Sequence, residues 1–589
     1  MSSSGVARTD DALDPGSTRR SRGRRVVLVT LLLLGAWLVV VVAMGVLGAM
    51  AGQSGADRVR GVELSAGVRE FLDGEFDDDL EAARADFERA DRLLDNPIVA
   101  PARFLPVAGR QLRSAGALAS TSADVLDASA RAAAALRNEL DDGTPAGSDR
   151  VGAIDRLRGE LRDLHDVLMD ADLGPSMALV GPLQDARLEF DDKLTDARGR
   201  TEDLVVVLDA MHALLEGPSR YLVLAANNAE MRIGSGMFLS VGELQIADGR
   251  LSVAEDFEPS GDVALAERLP LTDEMAQLWG WSGTGIDLRS LGLSARFPVN
   301  AELASTHWTA LGRGEVDGAM AVDVVALRSL LGVVGPVQLD DLTIDADNVL
   351  DFLLREQYRD ADDDDANAER RERLGDLASV VLEKLGSDTV DLPGLVDALQ
   401  EARDGRHLLL WSEHAEQQRA WRQLGVDGDL DDESVLVGLA NVDASKLDPF
   451  LEMSVEVEGS PQGDDVRYSL TISIRNTAPG GMNSYIEGSD GSPDYRGLLS
   501  AHLPTAARDV TIEGFDGISA AGPDGPTVVI AAPVAVEQGG ERIGELHFTL
   551  PADQVPSVLP SARLPAVRWT LGDRTVPDDS GVELRLHDR

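Results

Sequence analysis

Hydrophobic and polar positions change their period several times along the chain, and the sharpest pattern lies between Tyr221 and Glu258. An apolar run, Tyr221–Ala226, comes first. A polar stretch follows it, with Asn227, Asn228, Glu230 and Arg232. Two alternating apolar segments then flank Asp248-Gly249, a strong signal for a hairpin. The pattern predicts a buried strand, a polar loop that includes Gly234-Ser235-Gly236, and a hairpin.

Residues 55–217 repeat their apolar positions every three or four residues, which is the period of one helix face. One such series is Phe190, Leu194, Ala197 and Thr201. Proline and glycine interrupt the series at three places, which are Pro97 with Pro101 and Pro106, Gly143 to Gly147, and Gly174-Pro175. The sequence therefore predicts an all-α region of four antiparallel helices, or a bundle with one long member, which would serve as a helical bundle or stalk.

Beyond residue 217 the signals alternate between strand and helix. Predicted helices at 324–334, 347–357, 366–385, 392–402 and 415–424 alternate with predicted strands at 316–322, 407–411 and 435–440. Such alternation indicates an α/β sandwich over residues 218–450, in which helices cover a sheet. Residues 451–589 instead show short alternating runs separated by Gly, Pro, Asn and Asp, which predicts a C-terminal all-β immunoglobulin-like sandwich.

The first 51 residues have a different pattern. Residues 1–25 are polar, end in a cluster of five arginines and predict a disordered tail. Val26–Ala51 carries no charge, and a helix of this length would extend about 39 Å, enough to cross a bilayer. The arginines before it predict a cytoplasmic N-terminus and an extracytoplasmic remainder. The alternative is a cleaved signal peptide, but this apolar run exceeds the usual length of roughly 7–15 residues.

Composition narrows the partners and the chemistry. The chain has 589 residues, of which 102 are acidic and 54 basic, and a formal net charge of -48. Its length predicts roughly three or more domains. Its acidic surface disfavours nucleic acid as a partner. The absence of cysteine excludes disulfides and thiolate metal sites, so packing alone must stabilise an exported fold.

Standard catalytic motifs are absent from the sequence. It contains no G-x-S-x-G elbow, Walker A loop, H-E-x-x-H pair or dinucleotide fingerprint after a strand. The acidic run 360–365 lacks the glycine and the terminal glutamate of a calcium-binding loop, so we interpret it as solvated and assign no metal ligands.

Two groups of polar residues remain as candidates. The first is a set of arginines that could converge on a diphosphate, because guanidinium groups match phosphate oxygens; it consists of Arg232, Arg355, Arg370 and Arg373. Salt bridges on an acidic surface are the alternative for this set. The second is Asn441, Lys446 and Asp448, which follow a predicted strand, where α/β sheets place their sites. The same three residues could instead fix the junction with the β-sandwich.

Four segments carry a family resemblance. They are YLVLAANNAEMRIGSGMFLSVGELQIADGRL, VDGAMAVDVVALRSLLGVVGPVQL, NVLDFLLREQY followed by ERRERLGDLA, and ANVDASKLDPFLE. On these segments the chain resembles actinobacterial members of the family called domain of unknown function 4012 (DUF4012). That resemblance implies no particular activity.

A second resemblance is to the LytR-CpsA-Psr phosphotransferases, which attach lipid-diphosphate-linked glycopolymers to peptidoglycan outside the membrane. It is carried by VDGAMAVD with ALRSLLGVVGPV and by FLLREQY before the Arg370 and Arg373 helix. The resemblance implies that Arg232, Arg355, Arg370 and Arg373 bind diphosphate, with Mg²⁺ as cofactor. The chain departs from that family in two places: Gly234 stands where an acid follows the first arginine, and Arg373-Leu374-Gly375 replaces Arg-Gln-Gln. The lost acid counts against Mg²⁺ and catalysis.

Two hypotheses follow from these patterns. The favoured one is a protein anchored in the cytoplasmic membrane, with its bulk in the envelope, that binds or transfers a polyprenyl-diphosphate glycopolymer destined for peptidoglycan. As an enzyme it would be a glycopolymer phosphotransferase. The second is a non-catalytic cell-surface scaffold or interaction protein, which the lost acid and the acidic surface favour.

Overall fold

The structure is a computed structural model that describes residues 44, 47–56, 58, 59, 74, 76–141, 147–254, 257–339, 341–358, 364–387, 392–488, 491–582 and 584–586. The predicted tail, 1–25, and most of the predicted membrane helix, 26–51, lie outside these residues. Within the described ranges, no helix combines the length and the apolar character needed to cross a membrane. The fold is multidomain, with helices and mixed sheets, and has two compact units: Met1–Arg137 with Gly159–Glu202, and Asn138–Arg158 with Asp203–Arg589.

Long helices dominate the chain before residue 217, as the sequence predicts. They are α1 (Asp77–Leu94), α2 (Ala108–Asp141), α3 (Ser148–Met169) and α4 (Gly181–Glu216), and a 3₁₀ helix spans Ala100–Phe104. The prolines predicted as breaks lie between α1 and α2, because proline cannot continue a helix. In the first unit, Leu168, Leu173 and Leu194 share a buried cluster. Ala51, Ala90 and Ala119 form another, where small side chains let helices approach closely.

A mixed sheet forms the centre of the second unit, and its middle strand is β1 (Ser219–Met231). The strand order is β3 (Arg250–Val253), β2 (Gly236–Ala247), β1, β5 (Gly318–Asp323) and β8 (Leu408–Ser412), and β4 (Glu258–Pro259) pairs with β2. Strand β1 is antiparallel to β2 and parallel to β5. The predicted hairpin is confirmed, since Asp248 and Gly249 adopt φ angles of 49° and 73°, as a two-residue hairpin turn requires.

Helices pack on both faces of this sheet. Alternate β1 side chains enter two cores: Tyr221 and Val223 belong to one, Leu222 and Leu224 to the other. The first core takes side chains from α7 (Val324–Val334), α8 (Val349–Leu354), α9 (Asp364–Ser387) and α10 (Leu392–Asp404), and the second from α5 (Asp273–Trp279) and α6 (Phe297–Ala310). Helix α11 (Ala415–Gln423) packs on the second half of α4, and β6 (Val337–Leu339) pairs with β7 (Leu342–Ile344).

One local prediction is wrong. The sequence predicts that the strand ends at Ala226 and a polar loop follows, but β1 continues to Met231. Asn227, Asn228 and Glu230 are buried within this strand. Polar side chains occur there because each has a buried polar partner elsewhere in the chain, which offsets the cost of removing it from water.

Two six-stranded sheets follow. The first has the order β13 (Arg508–Glu513), β16 (Glu541–Pro551), β11 (Asp465–Asn476), β10 (Leu451–Gln462), β18 (Arg568–Leu571), β19 (Arg574–Pro577). The second has the order β14 (Ala520–Asp524), β15 (Thr527–Val536), β12 (Tyr495–Pro504), β9 (Ser434–Asn441), β17 (Ser557–Val558), β20 (Leu584–Arg585). A short helix, α12 (Ser484–Glu487), precedes β12.

The two sheets share a hydrophobic core, to which Leu470 of β11 and Leu499 of β12 contribute. Strand β9, which the sequence groups with the α/β region, pairs with β12 and so belongs to the second of these sheets. Hence the segment from β9 to β10 leads from one sheet to the other, close to the end of β1, where Met231 donates its N–H to Asp448.

Candidate functional site at the end of the central strand

The last residues of β1 form a buried polar network with the segment between β9 and β10. Lys446 Nζ lies 2.6 Å from Glu230 Oε1, and the two side chains are only 4% and 7% exposed. The same ammonium lies 4.8 Å from the centre of the Tyr485 ring and 5.8 Å from that of Tyr358. A carboxylate and two aromatic faces thus surround a desolvated cation, which all of them stabilise.

Asp448 is the most highly coordinated acid of this network. Its Oδ2 accepts hydrogen bonds from the Met231 N–H at 3.1 Å and from Asn441 Nδ2 at 2.9 Å. Its Oδ1 accepts from Arg563 Nη1 at 3.1 Å and from the Tyr495 hydroxyl at 3.3 Å. Burial raises the pKa of Asp448, and the nearby Arg563 guanidinium opposes that rise. Both carboxylate oxygens are therefore occupied by internal donors.

Arg232 directs its guanidinium at main-chain carbonyls. Its Nη1 donates to the carbonyl oxygens of Asn441, at 2.8 Å, and Met231, at 3.2 Å, and its Nε donates to that of Arg289 at 2.9 Å. Burial lowers the pKa of this guanidinium. Arg232 thus holds the turn after β1 against the end of β9, and the structure joins it to the second predicted set through Asn441.

The other predicted arginines have different surroundings. Arg355 is half exposed and pairs with Asp351 at 3.4 Å, while its guanidinium carbon lies 5.5 Å from the Phe450 ring centre. Phe450 ends a short 3₁₀ helix, Asp448–Phe450, so Arg355 reaches the edge of the same network. Arg373 lies on α9, and its Nε is buried without a hydrogen-bond partner in the described part of the chain. Arg370 is on the same helix, but its side chain lies outside what the structure describes.

A second buried cluster joins the ends of β5 and β8. His407 Nδ1 lies 2.6 Å from Asp323 Oδ2, and Asp323 Oδ1 accepts from the N–H of Val325 at the start of α7. Asn228 Nδ2 donates to Asp323 Oδ2 and to the Ala562 carbonyl, both at 2.8 Å. Burial alone would lower the pKa of His407, but the charge of Asp323 raises it above its ordinary value.

The C-terminal segment adds an acid to this cluster. Asp578 accepts hydrogen bonds from the N–H groups of Val567, at 2.9 Å, and Ser561, at 3.2 Å. Burial raises its pKa to about 7, against the effect of nearby His407. In a hydrolytic triad a histidine is the general base and an aspartate orients it. Here the side chains of His407 and Asp323 are 2% and 4% exposed, so a substrate has no access to them.

The sequence contains one signal for this second cluster, the aspartate at the end of a strand before a helical pattern, which is typical of an N-cap. The sequence contains no signal for the contact between this cluster and residues 561–578. Helix α7 begins at Val324, and its cap is Asp323, whose side chain accepts from Val325 and Ala326.

A cleft of about 520 Å³ lies in the first unit. Its acidic lining consists of Asp124, Asp127, Asp166, Asp170 and Asp172, with Arg131. The cleft contains none of the predicted site residues, and its charge disfavours a diphosphate. Within the described ranges, no three His, Asp or Glu side chains are grouped so that they could hold a metal ion.

Comparison with known families supports the first resemblance. Residues 216–358 match the model of a family described as "Protein of unknown function (DUF4012)". This confirms the DUF4012 prediction for the central sheet from β1 to β5 and for the segment that ends at Tyr358, including Arg232 and Arg355. No curated protein and no solved structure matches the chain. The likeness to LytR-CpsA-Psr phosphotransferases stays a prediction.

Proposed function

We propose that this protein is a non-catalytic scaffold or interaction protein of the cell envelope, anchored by the uncharged segment that begins at Val26, with its bulk outside the cytoplasmic membrane. The observation that carries this proposal is the buried network at the end of β1. Glu230, Lys446, Asp448 and Arg563 are at most 7% exposed and pair with one another. Charges that are paired with one another and closed to solvent cannot contact an external substrate, so we assign them a structural role.

The envelope location is supported by the sequence before residue 52. Val26–Ala51 is uncharged, and the arginines that precede it favour a cytoplasmic N-terminus. The two six-stranded sheets with their shared core support an immunoglobulin-like sandwich built from β9 and residues 451–589, an architecture common in cell-surface proteins. The chain would then present its β-sandwich and its first compact unit, which we call the helical unit, to partners outside the membrane.

Location is tested with a reporter enzyme that is active only outside the cytoplasm, fused after Arg589. We expect activity in the membrane fraction. In a matched variant, Leu33→Arg/Val39→Arg, the charges should prevent insertion and abolish reporter activity. Equal activity and equal membrane retention of the two fusions would count against the anchor.

The scaffold role is tested by rescue of a strain that lacks the protein. The Arg355→Ala/Arg373→Ala variant should restore the wild-type phenotype as well as a control, Arg508→Ala/Arg542→Ala, in which two exposed ion-paired arginines are removed from the β-sandwich. Rescue by the control alone would show that the two candidate arginines act on a ligand.

The second candidate is a binding protein for a polyprenyl-diphosphate glycopolymer. Two observations favour it: Arg355 is half exposed beside Phe450, and Arg373 has a buried Nε without a partner among the described residues. Arg232 would then hold the turn that follows β1 in place, without contacting the ligand. The residues present fit Mg²⁺ poorly, because Gly234 stands where the acid is expected and no three His, Asp or Glu side chains of the described residues are grouped around an ion site. No catalytic step is therefore derived through the ion.

This candidate is tested with the full chain in lipid nanodiscs and a polyprenyl diphosphate as the probe. Binding that is lost in Arg355→Ala/Arg373→Ala and kept in Arg508→Ala/Arg542→Ala would favour it over the scaffold. Failure of the wild-type chain to bind above empty nanodiscs would eliminate it.

A further inference from the structure

One end of the helical unit exposes a group of apolar side chains in two loops. Phe104 is 89% exposed, Met177 72%, Val107 66% and Val180 56%. We call these four residues, together with Leu105, the apolar tip. Isolated exposed apolar residues are ordinary, but a contiguous patch marks a surface that contacts a partner or a membrane.

Specific hydrogen bonds hold the two loops side by side. Gln111, in the first turn of α2, donates from Nε2 to the Ala178 carbonyl at 2.7 Å and accepts at Oε1 from the Val180 N–H at 3.0 Å. Arg113 donates to the Arg103 carbonyl in the other loop. Hydrogen bonds from the start of α2 therefore hold the loops of Phe104 and Met177 together, so that the two side chains lie on one surface.

The apolar tip lies at the end of the unit at which Met44, the first described residue, packs. Residues 47–56 are helical, and this helix runs antiparallel to α1, with Gly48 against Leu94 and Gly55 against Phe87. Met44, further towards the N-terminus, packs on the cluster that contains Val99 and Ala102. These two residues belong to the same loop as the tip. Residues 26–43, which come directly before, carry no charge.

Charge distinguishes this end from the rest of a strongly acidic chain. Residues 96–123 contain Arg103, Arg110 and Arg113 and no acidic residue, and residues 173–184 contain no charge at all. Arg103 is paired with Asp95 at 2.7 Å. Basic residues behind an apolar surface match a bilayer, in which apolar side chains enter the interface and arginines reach the phosphates.

We propose that the apolar tip inserts into the outer face of the cytoplasmic membrane, at its interface with water and beside the anchor. The helical unit would then contact the bilayer at two points. The proposal rests on the membrane anchor proposed above. Amphipathic helices bury their apolar face about 5–10 Å into the boundary between headgroups and acyl chains, and the side chains of the tip would enter the same region. Two contacts would fix the orientation of the helical unit on the membrane, which a single tether leaves free.

The absence of cysteine allows a direct test on the full chain. Single cysteines are placed at Phe104→Cys, Met177→Cys and Glu81→Cys, labelled with an environment-sensitive dye and reconstituted in phosphatidylcholine vesicles with brominated acyl chains. Glu81 is the control, because it is exposed near the opposite end of α1. We expect a blue-shifted emission that bromine quenches at positions 104 and 177, and aqueous, unquenched emission at position 81.

Three outcomes would overturn the proposal. In vesicles that retain the chain after alkaline extraction, aqueous emission at all three positions would show that the tip stays in water while the anchor holds. A blue shift without quenching by bromine would show that the tip packs on a second copy of the chain. Loss of the chain on alkaline extraction would eliminate the anchor and the tip together.

Discussion

The network at the end of β1 and the apolar tip put unexpected side chains in opposite environments. The network buries Lys446, Asp448 and Arg563 and supplies each with a partner. The tip exposes Phe104 and Met177 and covers neither. A buried charge is costly and persists only with its partners, whereas covering an exposed apolar group with something outside the unit lowers the free energy. The buried network therefore indicates a structural role, and the apolar tip indicates an interaction.

The largest effect is expected from breaking the network. In Asp448→Ala, Arg563 is left as a buried charge without its carboxylate, which costs about 3–5 kcal/mol in the free energy of unfolding. Urea denaturation followed by tryptophan fluorescence measures it. The matched control is Asp516→Ala, whose exposed pair with Arg542 should be worth less than about 1 kcal/mol. Equal shifts for the two variants would contradict the distinction between buried and exposed charge.

The cluster around Asp578 predicts a pH dependence with a definite sign. Its pKa rises from an ordinary 3.8 to about 7 in the folded protein, so its contribution to stability is complete below about pH 4 and is lost as the pH rises through about 7. His407 acts in the same direction, because its folded pKa is also raised. The unfolding temperature of Asp578→Asn should therefore depend less on pH across this window than that of the wild type. The exposed control Asp573→Asn should keep the wild-type slope, and an unchanged slope in Asp578→Asn would contradict the assignment.

Substitution of the two arginines in the DUF4012 region should change the free energy of unfolding by different amounts. Arg232→Ala removes the donor for three carbonyl groups and should cost about 1–3 kcal/mol in the free energy of unfolding. Arg355→Ala removes an exposed side chain and should stay within about 0.5 kcal/mol of the wild type. Thermal unfolding of both variants measures the difference. A large loss in Arg355→Ala, or none in Arg232→Ala, would reverse the roles assigned here.

The smallest effect on unfolding is expected at the tip. Phe104→Ser removes an apolar side chain that makes little contact within the unit, so the free energy of unfolding should change by no more than about 0.5 kcal/mol. The control Phe87→Ser, at a buried position on α1, should be strongly destabilising. A comparable loss in Phe104→Ser would mean that the tip packs inside the unit.

Local features of this fold could be predicted because their causes lie nearby in the chain. The Asp248-Gly249 hairpin and the proline breaks between α1 and α2 depend on the conformational preferences of single residues. The continuation of β1 through Asn227 and Glu230 could not be predicted. Asn227 bonds to Tyr358, 131 residues away, and Asp448 accepts from Met231 across 217 residues. No local pattern reports partners at that distance.

The candidate sites also combine features that local sequence predicts with features that depend on distant partners. The sequence predicts Asn441, Lys446 and Asp448 as a polar group after a strand. Whether they bind a ligand or fix a junction depends on Glu230 and Arg563, which only the fold brings to them. The apolar tip had a signal in the sequence, the uncharged stretch 173–184 in an acidic chain. Its meaning required the hydrogen bonds that place that stretch beside Phe104.

A double-mutant cycle on Glu230 and Lys446 tests most directly whether the residues that resemble a site are structural. The free energy of unfolding is measured for Glu230→Gln, Lys446→Met and the double variant. We expect each single variant to be destabilised and the double variant to recover part of the loss, with a coupling energy of roughly 1–3 kcal/mol. A coupling energy near zero, with loss of rescue in the deletion strain, would contradict a structural role and would assign the pair to a ligand.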